Sequence, residues 1–270
     1  MSLASEESLI RALQSSAPSA NILALTVIAK ASASPSSSAI LSSMKGLVGQ
    51  FIRTWLSSPS VEVGEKATRT LGDILEVDCE HKVTNGLDTH MSGLEIASRT
   101  VLGQGFMWRR LFHDQEQYAS IFSLCDLSTI GAAPDKLDQR QKSLAQARLL
   151  RIMPRLAALD FTAVSKPHLP GVEKQFSMPD STEGLLWYVG LEMVDIEDDV
   201  LMHFTLIDFF AELLQSLSTV DLSAVSMDYL KRLMKTVMEN DESMYKSLES
   251  LGQAESSSPE LVDLMTRLSQ

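Results

Sequence analysis

The chain reads as an all-α protein, a solenoid of stacked helical hairpins, and three observations lead there. Its apolar residues, 44% of 270, are dominated by Leu, Ala, Met and Ile, with aromatics at 6%. They recur at three- and four-residue spacing and do not alternate, which is the period of helices and not of strands. Most of the nine prolines stand just ahead of helix-favouring runs: Pro18, Pro35, Pro59, Pro134, Pro179 and Pro259 suit the first helical position, where a missing N–H costs nothing. Finally, helices follow one another after only a few residues, and such αα-hairpins are the repeating unit of solenoids.

The spacing predicts helices over 4–16, 18–32, 36–56, 59–77, 87–102, 104–113, 115–127, 135–160, 182–194, 197–217, 226–250 and 259–269, all in a single domain spanning 1–270. The hairpin from Trp55 to Val77 carries the clearest signal. Val63, Ala67, Thr70, Leu71, Ile74 and Leu75 fall on one side of its second helix, and Glu62, Glu65, Lys66, Arg69, Asp73 and Glu76 on the other. Ser58 is placed to accept from the free amides of the first turn, with Pro59 at the first helical position. Phe51, Ile52, Trp55 and Leu56 close the preceding helix. Glu62–Lys66 and Glu65–Arg69 stand at i,i+4 spacing, as surface ion pairs do.

Gly103-Gln104-Gly105 lacks a preceding strand and a third glycine, so it reads as an inter-helix turn. Pro154, inside 135–160, predicts a kink or break. Ser165–Thr182 carries three prolines and a glycine and reads as an irregular loop on one edge of the scaffold, with a boundary between two sub-blocks as the alternative. The helix at 197–217 is apolar around nearly all its circumference, including Val200, Leu201 and Phe204. Only a strip of Asp198, Thr205, Asp208, Glu212 and Gln215 is polar, a pattern that predicts packing on several sides.

A net charge of −12 disfavours general binding to phosphate backbones, where basic side chains supply the affinity, and points to a basic protein partner. Two cysteines make neither a disulfide framework nor a metal quartet, which suits a reducing compartment. No secretory leader is read at the N-terminus and no apolar run is read as long enough to span a bilayer. A soluble cytoplasmic protein, with the nucleus as a second compartment, is expected.

No phosphate-binding, dinucleotide-binding, nucleophile-elbow or HExxH motif occurs, and no enzyme chemistry, metal or cofactor is expected. Asp195-Ile196-Glu197-Asp198-Asp199 has Val200 and Leu206 where a calcium loop needs glycine and glutamate, so these acids suit a helix start instead. His203 reads as a hydrogen-bonded core residue and Cys125 as a small buried hydrophobe. Lys136, Arg140, Lys142, Arg148, Arg151 and Arg155 run against the global sign. They read as a solvated helix flank, with a patch for an acidic partner segment as the alternative.

The block SPSVEVGEKATRTLGDIL at 58–75, with the spacing of Pro59, Val63, Ala67, Leu71 and Leu75 after Trp55-Leu56, resembles the second helix of a HEAT repeat. Together with RLLRIMPRLAALDF at 148–161 and GLLWYVGLEMVDIEDDVLMHFTLIDFF at 184–210, it resembles the fungal branch of a proteasome base-assembly chaperone family. The animal relative is called 26S proteasome non-ATPase regulatory subunit 5, and the yeast member also carries a DNA mismatch-repair label. The resemblance implies a right-handed solenoid of the HEAT or armadillo kind. It also implies capture of a proteasomal ATPase subunit before the base ring is complete and, because members are longer, a solenoid continuing beyond Gln270. Where the second helix of each pair lines the concave side, the protein-binding residues are Glu62, Lys66, Arg69 and Asp73 from one repeat and Asp198, Thr205, Asp208 and Glu212 from another. The alternatives are a repair-associated factor contacting DNA through the 148–155 arginines, another protein-binding adaptor, or an enzyme with its site beneath the 165–182 loop.

Overall fold

The structure, a computed structural model, describes residues 5–80, 102–127, 137–176, 183–253 and 258–269. Every regular element among them is helical. In chain order these are α1 (Glu6–Leu13), α2 (Pro18–Ala31), α3 (Pro35–Ser43), α4 (Lys45–Ser57), α5 (Val61–Val77), α6 (Phe106–Phe112), α7 (Gln115–Cys125) and α8 (Gln139–Leu159). They continue as α9 (Phe161–Ser165), α10 (Pro170–Glu173), α11 (Gly184–Trp187) with a π-turn over Tyr188–Glu192, α12 (Val200–Ser218), α13 (Ala224–Asn240), α14 (Glu242–Gln253) and α15 (Pro259–Ser269). The predicted helix over 87–102 and the starts at Pro134 and Pro179 lie outside the described residues.

Where the sequence predicts one domain, the contacts divide the chain into two compact units. Unit 1 holds the described residues up to Ile152 together with 167–176, and unit 2 holds 153–166 and all that is described from Glu183 onward. In unit 1 helices three apart pack on one another, α1 on α4, α2 on α5, α3 on α6 and α4 on α7, and chain neighbours do so as well, α1 on α2 and α4 on α5 above all. Trp55, Ile52, Leu56, Leu25, Ile28, Ile74 and Leu75 are fully buried in this unit. In unit 2, α12 and α13 each pack on α14 and α15, and α13 also meets α9 and the π-turn.

Several boundaries differ from the expectation, each for a local reason. The helix predicted over 36–56 is two, because Met44 (φ −83°, ψ 73°) leaves the helical region between α3 and α4. Just before it the Ser42 and Ser43 hydroxyls donate to the carbonyls of Ala39 and Ile40, competing with continuation of the helix. Ser60, not Ser58, caps α5 by accepting from the Val63 amide, while Ser58 ends α4 and Pro59 stands in the turn. The helix predicted over 226–250 divides at Asp241, whose carboxylate accepts from the amides of Ser243 (2.9 Å) and Met244 (3.2 Å) and so starts α14. At Pro154 no break occurs, and α8 continues to Leu159 with Ile152, Met153, Leu156 and Ala157 buried on both sides of the ring. Residues 165–176 are not a free loop: Pro170 starts α10, and buried Glu173 accepts from the Tyr118 hydroxyl (2.8 Å) and the His168 amide (3.0 Å). The rest of that predicted loop, 177–182, lies outside the described residues.

The helix ends of unit 1 share one device. Among the described residues only Gly105 and Gly184 have positive φ, and both precede helices, so no helix there closes with a left-handed cap. The orphan carbonyls are met instead by side chains from packed neighbours. Asn21 donates to the carbonyls of Ala12, Leu13 and Ser15 at the end of α1. The Trp108 indole donates to Leu75 O (2.9 Å) in the last turn of α5. Lys142 and Gln146 of α8 donate to Ser123 O and Cys125 O at the end of α7. Arg148, also on α8, donates to Trp55 O (2.9 Å) and Leu56 O (3.0 Å) at the end of α4 and to Ser60 O (3.1 Å) in the turn that follows.

Candidate protein-binding surfaces

The eight residues predicted as a binding surface fall four in each unit. On α5, Glu62, Arg69 and Asp73 are exposed and Lys66 is half-buried, while Val63, Ala67, Thr70, Leu71, Ile74 and Leu75 are buried. The two-faced wheel is therefore realised residue by residue. The expected pairs Glu62–Lys66 and Glu65–Arg69 do not form among the described residues, and Glu65 instead pairs with Arg151 of α8. The quartet holds two cations and two carboxylates, and the same face also carries exposed Glu76 and half-buried Glu65.

Of the second quartet, Asp198 is exposed but lies in the turn before α12, not on the helix. Its amide and that of Glu197 donate to Asp195 Oδ1, and Asp199 caps α12 by accepting from Met202 N at 3.0 Å. The acidic run is thus turn and cap chemistry, as a helix start requires. Asp208 and Glu212 are exposed and Thr205 is half-buried, its hydroxyl donating to Leu201 O.

The expectation that α12 is packed nearly all round is wrong on one arc. Met202, Leu206, Phe209, Phe210, Leu213, Leu214 and Leu217 are buried, but Val200, Leu201 and Phe204 are 64%, 75% and 60% exposed. These three occupy the same side as Thr205, Asp208, Glu212 and Gln215, so the arc presents apolar residues at its N-terminal end and acids further along. Their placement beside the polar strip was the available signal, masked by a helix whose other side chains are nearly all apolar. By length and composition α12, with mean hydropathy 1.4, is also long enough to cross a bilayer, contrary to the sequence reading. Its seven buried side chains nevertheless belong to the core of unit 2.

His203, predicted as a hydrogen-bonded core residue, is half-buried on the flank of this arc. Its Nε2–H donates to Asp241 Oδ2 at 2.5 Å, and its ring stacks on Phe204 with centroids 6.2 Å apart. Burial alone would raise the Asp241 carboxyl, but the His203 hydrogen bond and the Met244 and Ser243 amides outweigh it and hold the carboxyl below its ordinary range. A folded-state value below the unfolded one contributes stability that is present above the ordinary carboxylate pKa and lost as pH falls through the depressed value. The stability difference between the native chain and Asp241→Asn, followed by urea unfolding of unit 2, is therefore expected to shrink as pH is lowered from about 5 to about 3. A difference that holds constant across that range would refute the depressed carboxyl.

The basic stripe of α8 is not a patch. Lys142 and Arg148 are buried and bonded to carbonyls, and Arg151 is paired with Glu65. Lys136 lies outside the described residues. In unit 1 an open cleft is bordered by Ser42, Phe106, Arg109, Arg110, His113 and Asp114. Its cations are committed: Arg110 donates to Ser42 O (2.8 Å) and Asp114 (2.8 Å), and Arg109 to Glu80 and Gln104 O. Burial, with the nearby His168 and Arg109, lowers the His113 imidazole below its usual range. Cys79 and Cys125 are buried, and burial pushes the Cys125 thiol up to about 12, so it stays neutral and packs as a small hydrophobe. Among the described residues no three His, Cys, Asp or Glu side chains converge to hold a metal ion.

Comparison of the chain with family models, with curated proteins and with solved structures finds no match.

Proposed function

We propose that this chain is a non-enzymatic α-solenoid scaffold that binds a protein partner through its helix faces, and that it serves as an assembly chaperone of the proteasome regulatory-particle base. The observation that carries the scaffold reading is the packing of unit 1. Contacts between helices three apart, beside those between chain neighbours, support a three-helix repeat of the armadillo kind, in which each helix would stack on its counterpart in the next repeat. Donors from packed neighbours close several helix ends, and Lys142, Gln146 and Arg148 of α8 are spent there. The charged face of α5 and the mixed arc of α12 stay exposed. The narrower chaperone reading rests on the resemblance of 58–75, 148–161 and 184–210 to that family, and the right-handed sense of the solenoid rests on it as well.

The repair-associated alternative needs an exposed arginine stripe at 148–155, which the buried Arg148 and the paired Arg151 do not supply. Purified proteasomal ATPase subunits, immobilised one at a time, are expected to retain the full chain selectively, with one subunit holding it through washes at moderate salt. Retention by none of them, or retention only on DNA, would overturn the chaperone reading.

A further inference from the structure

We propose that the exposed arc of α12 docks a basic amphipathic segment of a protein partner, a helix whose apolar stripe is flanked by Lys or Arg. The proposal rests on the scaffold reading and names the chemistry of what that scaffold holds. Three observations on unit 2 support it.

The arc begins with Val200, Leu201 and Phe204, all more than half exposed. Phe204 stands at i+4 from Val200 and at i+3 from Leu201, spacings that make neighbours on a helix surface, so the three form one apolar patch joined through Phe204 and not scattered exposures. The patch has a rigid floor, since Phe204 stacks on the His203 ring and that ring is held by Asp241. A preorganised aromatic surface loses little entropy on binding. Its rim is acidic: Glu197 and Asp198 lie at one end and Asp208 and Glu212 along the arc, all exposed.

The sequence around it extends the same sign. Between Lys174 and Lys231 lie eleven Asp or Glu and no Lys or Arg, although the chain as a whole carries 23 basic residues. A patch set in such a field selects its occupant. A second copy would bring the same acids face to face, and an anionic lipid surface or nucleic acid would meet the exposed carboxylates of Asp208 and Glu212. A helix with an apolar stripe and basic flanks satisfies both features at once, by the helix-on-apolar-surface mode of recognition.

The test uses the full chain and a fluorescein-labelled amphipathic helical peptide built of Leu and Lys, with a Leu and Glu peptide of the same pattern as control. Saturable binding of the Leu/Lys peptide is expected, and none of the control. The double substitution Leu201→Asp with Phe204→Asp is expected to weaken binding about ten-fold or more even though it adds two negative charges. Asp208→Lys with Glu212→Lys is expected to weaken it as well, with a shallower salt dependence. All four positions are solvent-facing, and unchanged melting by circular dichroism shows that both variants fold.

Binding that is unchanged or tighter in the Leu201→Asp, Phe204→Asp variant would mean attraction by net charge alone and would overturn the proposal. So would equal binding of the Leu/Glu peptide, or a native dimer in sedimentation that this variant dissociates. The two readings fail separately. Loss of peptide binding in the variant with no ATPase subunit retained leaves the docking surface standing and removes the chaperone reading. A subunit retained equally by native chain and variant does the reverse.

Discussion

Replacing Arg148 with alanine is expected to lower the stability of unit 1 by about 3 kcal/mol, because three buried carbonyls lose their donor together. The guanidinium is nearly covered and bonds Trp55 O and Leu56 O in the final turn of α4 and Ser60 O in the linking turn. Burial lowers its pKa from the usual arginine value, with Glu65 opposing that shift, yet arginine starts so high that the group stays charged. It therefore places a full positive charge at the negative end of the α4 dipole. Lysine cannot substitute, since a point charge on a flexible stem cannot span three acceptors in the geometry of a planar fork.

The same site makes a sharper prediction through Gly64. A Cβ built there would stand 2.1 Å from Arg148 Nε and 2.3 Å from its Cζ. The guanidinium is anchored on three sides, so it cannot swing away as a free side chain would. In the native chain Gly64→Ala is expected to cost about 1–3 kcal/mol. In an Arg148→Ala background the space is empty, and the same change becomes an ordinary glycine-to-alanine replacement inside a helix, expected to stabilise by up to about 1 kcal/mol. The sign of the Gly64→Ala effect thus reverses between backgrounds. A double-mutant cycle by urea unfolding measures it, and additive effects would show that Arg148 does not occupy the notch.

These residues mark where the sequence was legible and where it was not. The helical class and the faces of α5 followed from periodicity, since the positions that recur at helical spacing are those the core needs. Cys125 also behaves as its apolar surroundings suggested, whereas His203 is hydrogen-bonded but half-buried and not a core residue. What periodicity does not encode is the use of one polar side chain by a distant backbone. Lys142, Gln146 and Arg148 look like the solvated side of α8 because nothing local distinguishes a donor aimed at water from one aimed at the end of α4 or α7, some twenty to ninety residues away. The exposed patch on α12 was hidden for the opposite reason: in a helix apolar on most sides, burial is assigned to every apolar residue, and only the packing of neighbours reveals which ones are left uncovered. The helix breaks at Met44 and Asp241 were missed because short serine and aspartate side chains end helices through hydrogen bonds that a hydrophobicity pattern does not register.

Gly103→Ala is the second change expected to have a large effect, about 3 kcal/mol, and it tests how α6 is fastened to α5. The Gly103-Gln104-Gly105 stretch does form the turn before α6, as its sequence suggests, but the two glycines act differently. Gly105 supplies a left-handed φ of 65° at the N-cap, whereas Gly103 is a matter of space. A Cβ on it would lie 2.0 Å from the carbonyl carbon of Asp78 and 2.3 Å from its oxygen, and backbone cannot rotate out of the way. That contact is closed by Gly103 N donating to Cys79 O and Gly105 N to Asp78 O, both at 2.9 Å. It also sets the buried Asp78 carboxylate where its Oδ2 accepts from Met107 N at 2.6 Å and Trp108 N at 3.4 Å, at the start of α6. Forcing Gly103 away therefore strains the cap and the Trp108–Leu75 bond together. Loss of hydrogen-exchange protection at the Met107 and Trp108 amides, with a lowered melting temperature, is the expected result. Gly171→Ala is the control: a Cβ there meets nothing within 4 Å, so its effect is expected to stay within about 0.5 kcal/mol. Equal effects at the two glycines would mean that backbone freedom, and not the approach of the 103 and 78 chains, is what unit 1 requires of this turn.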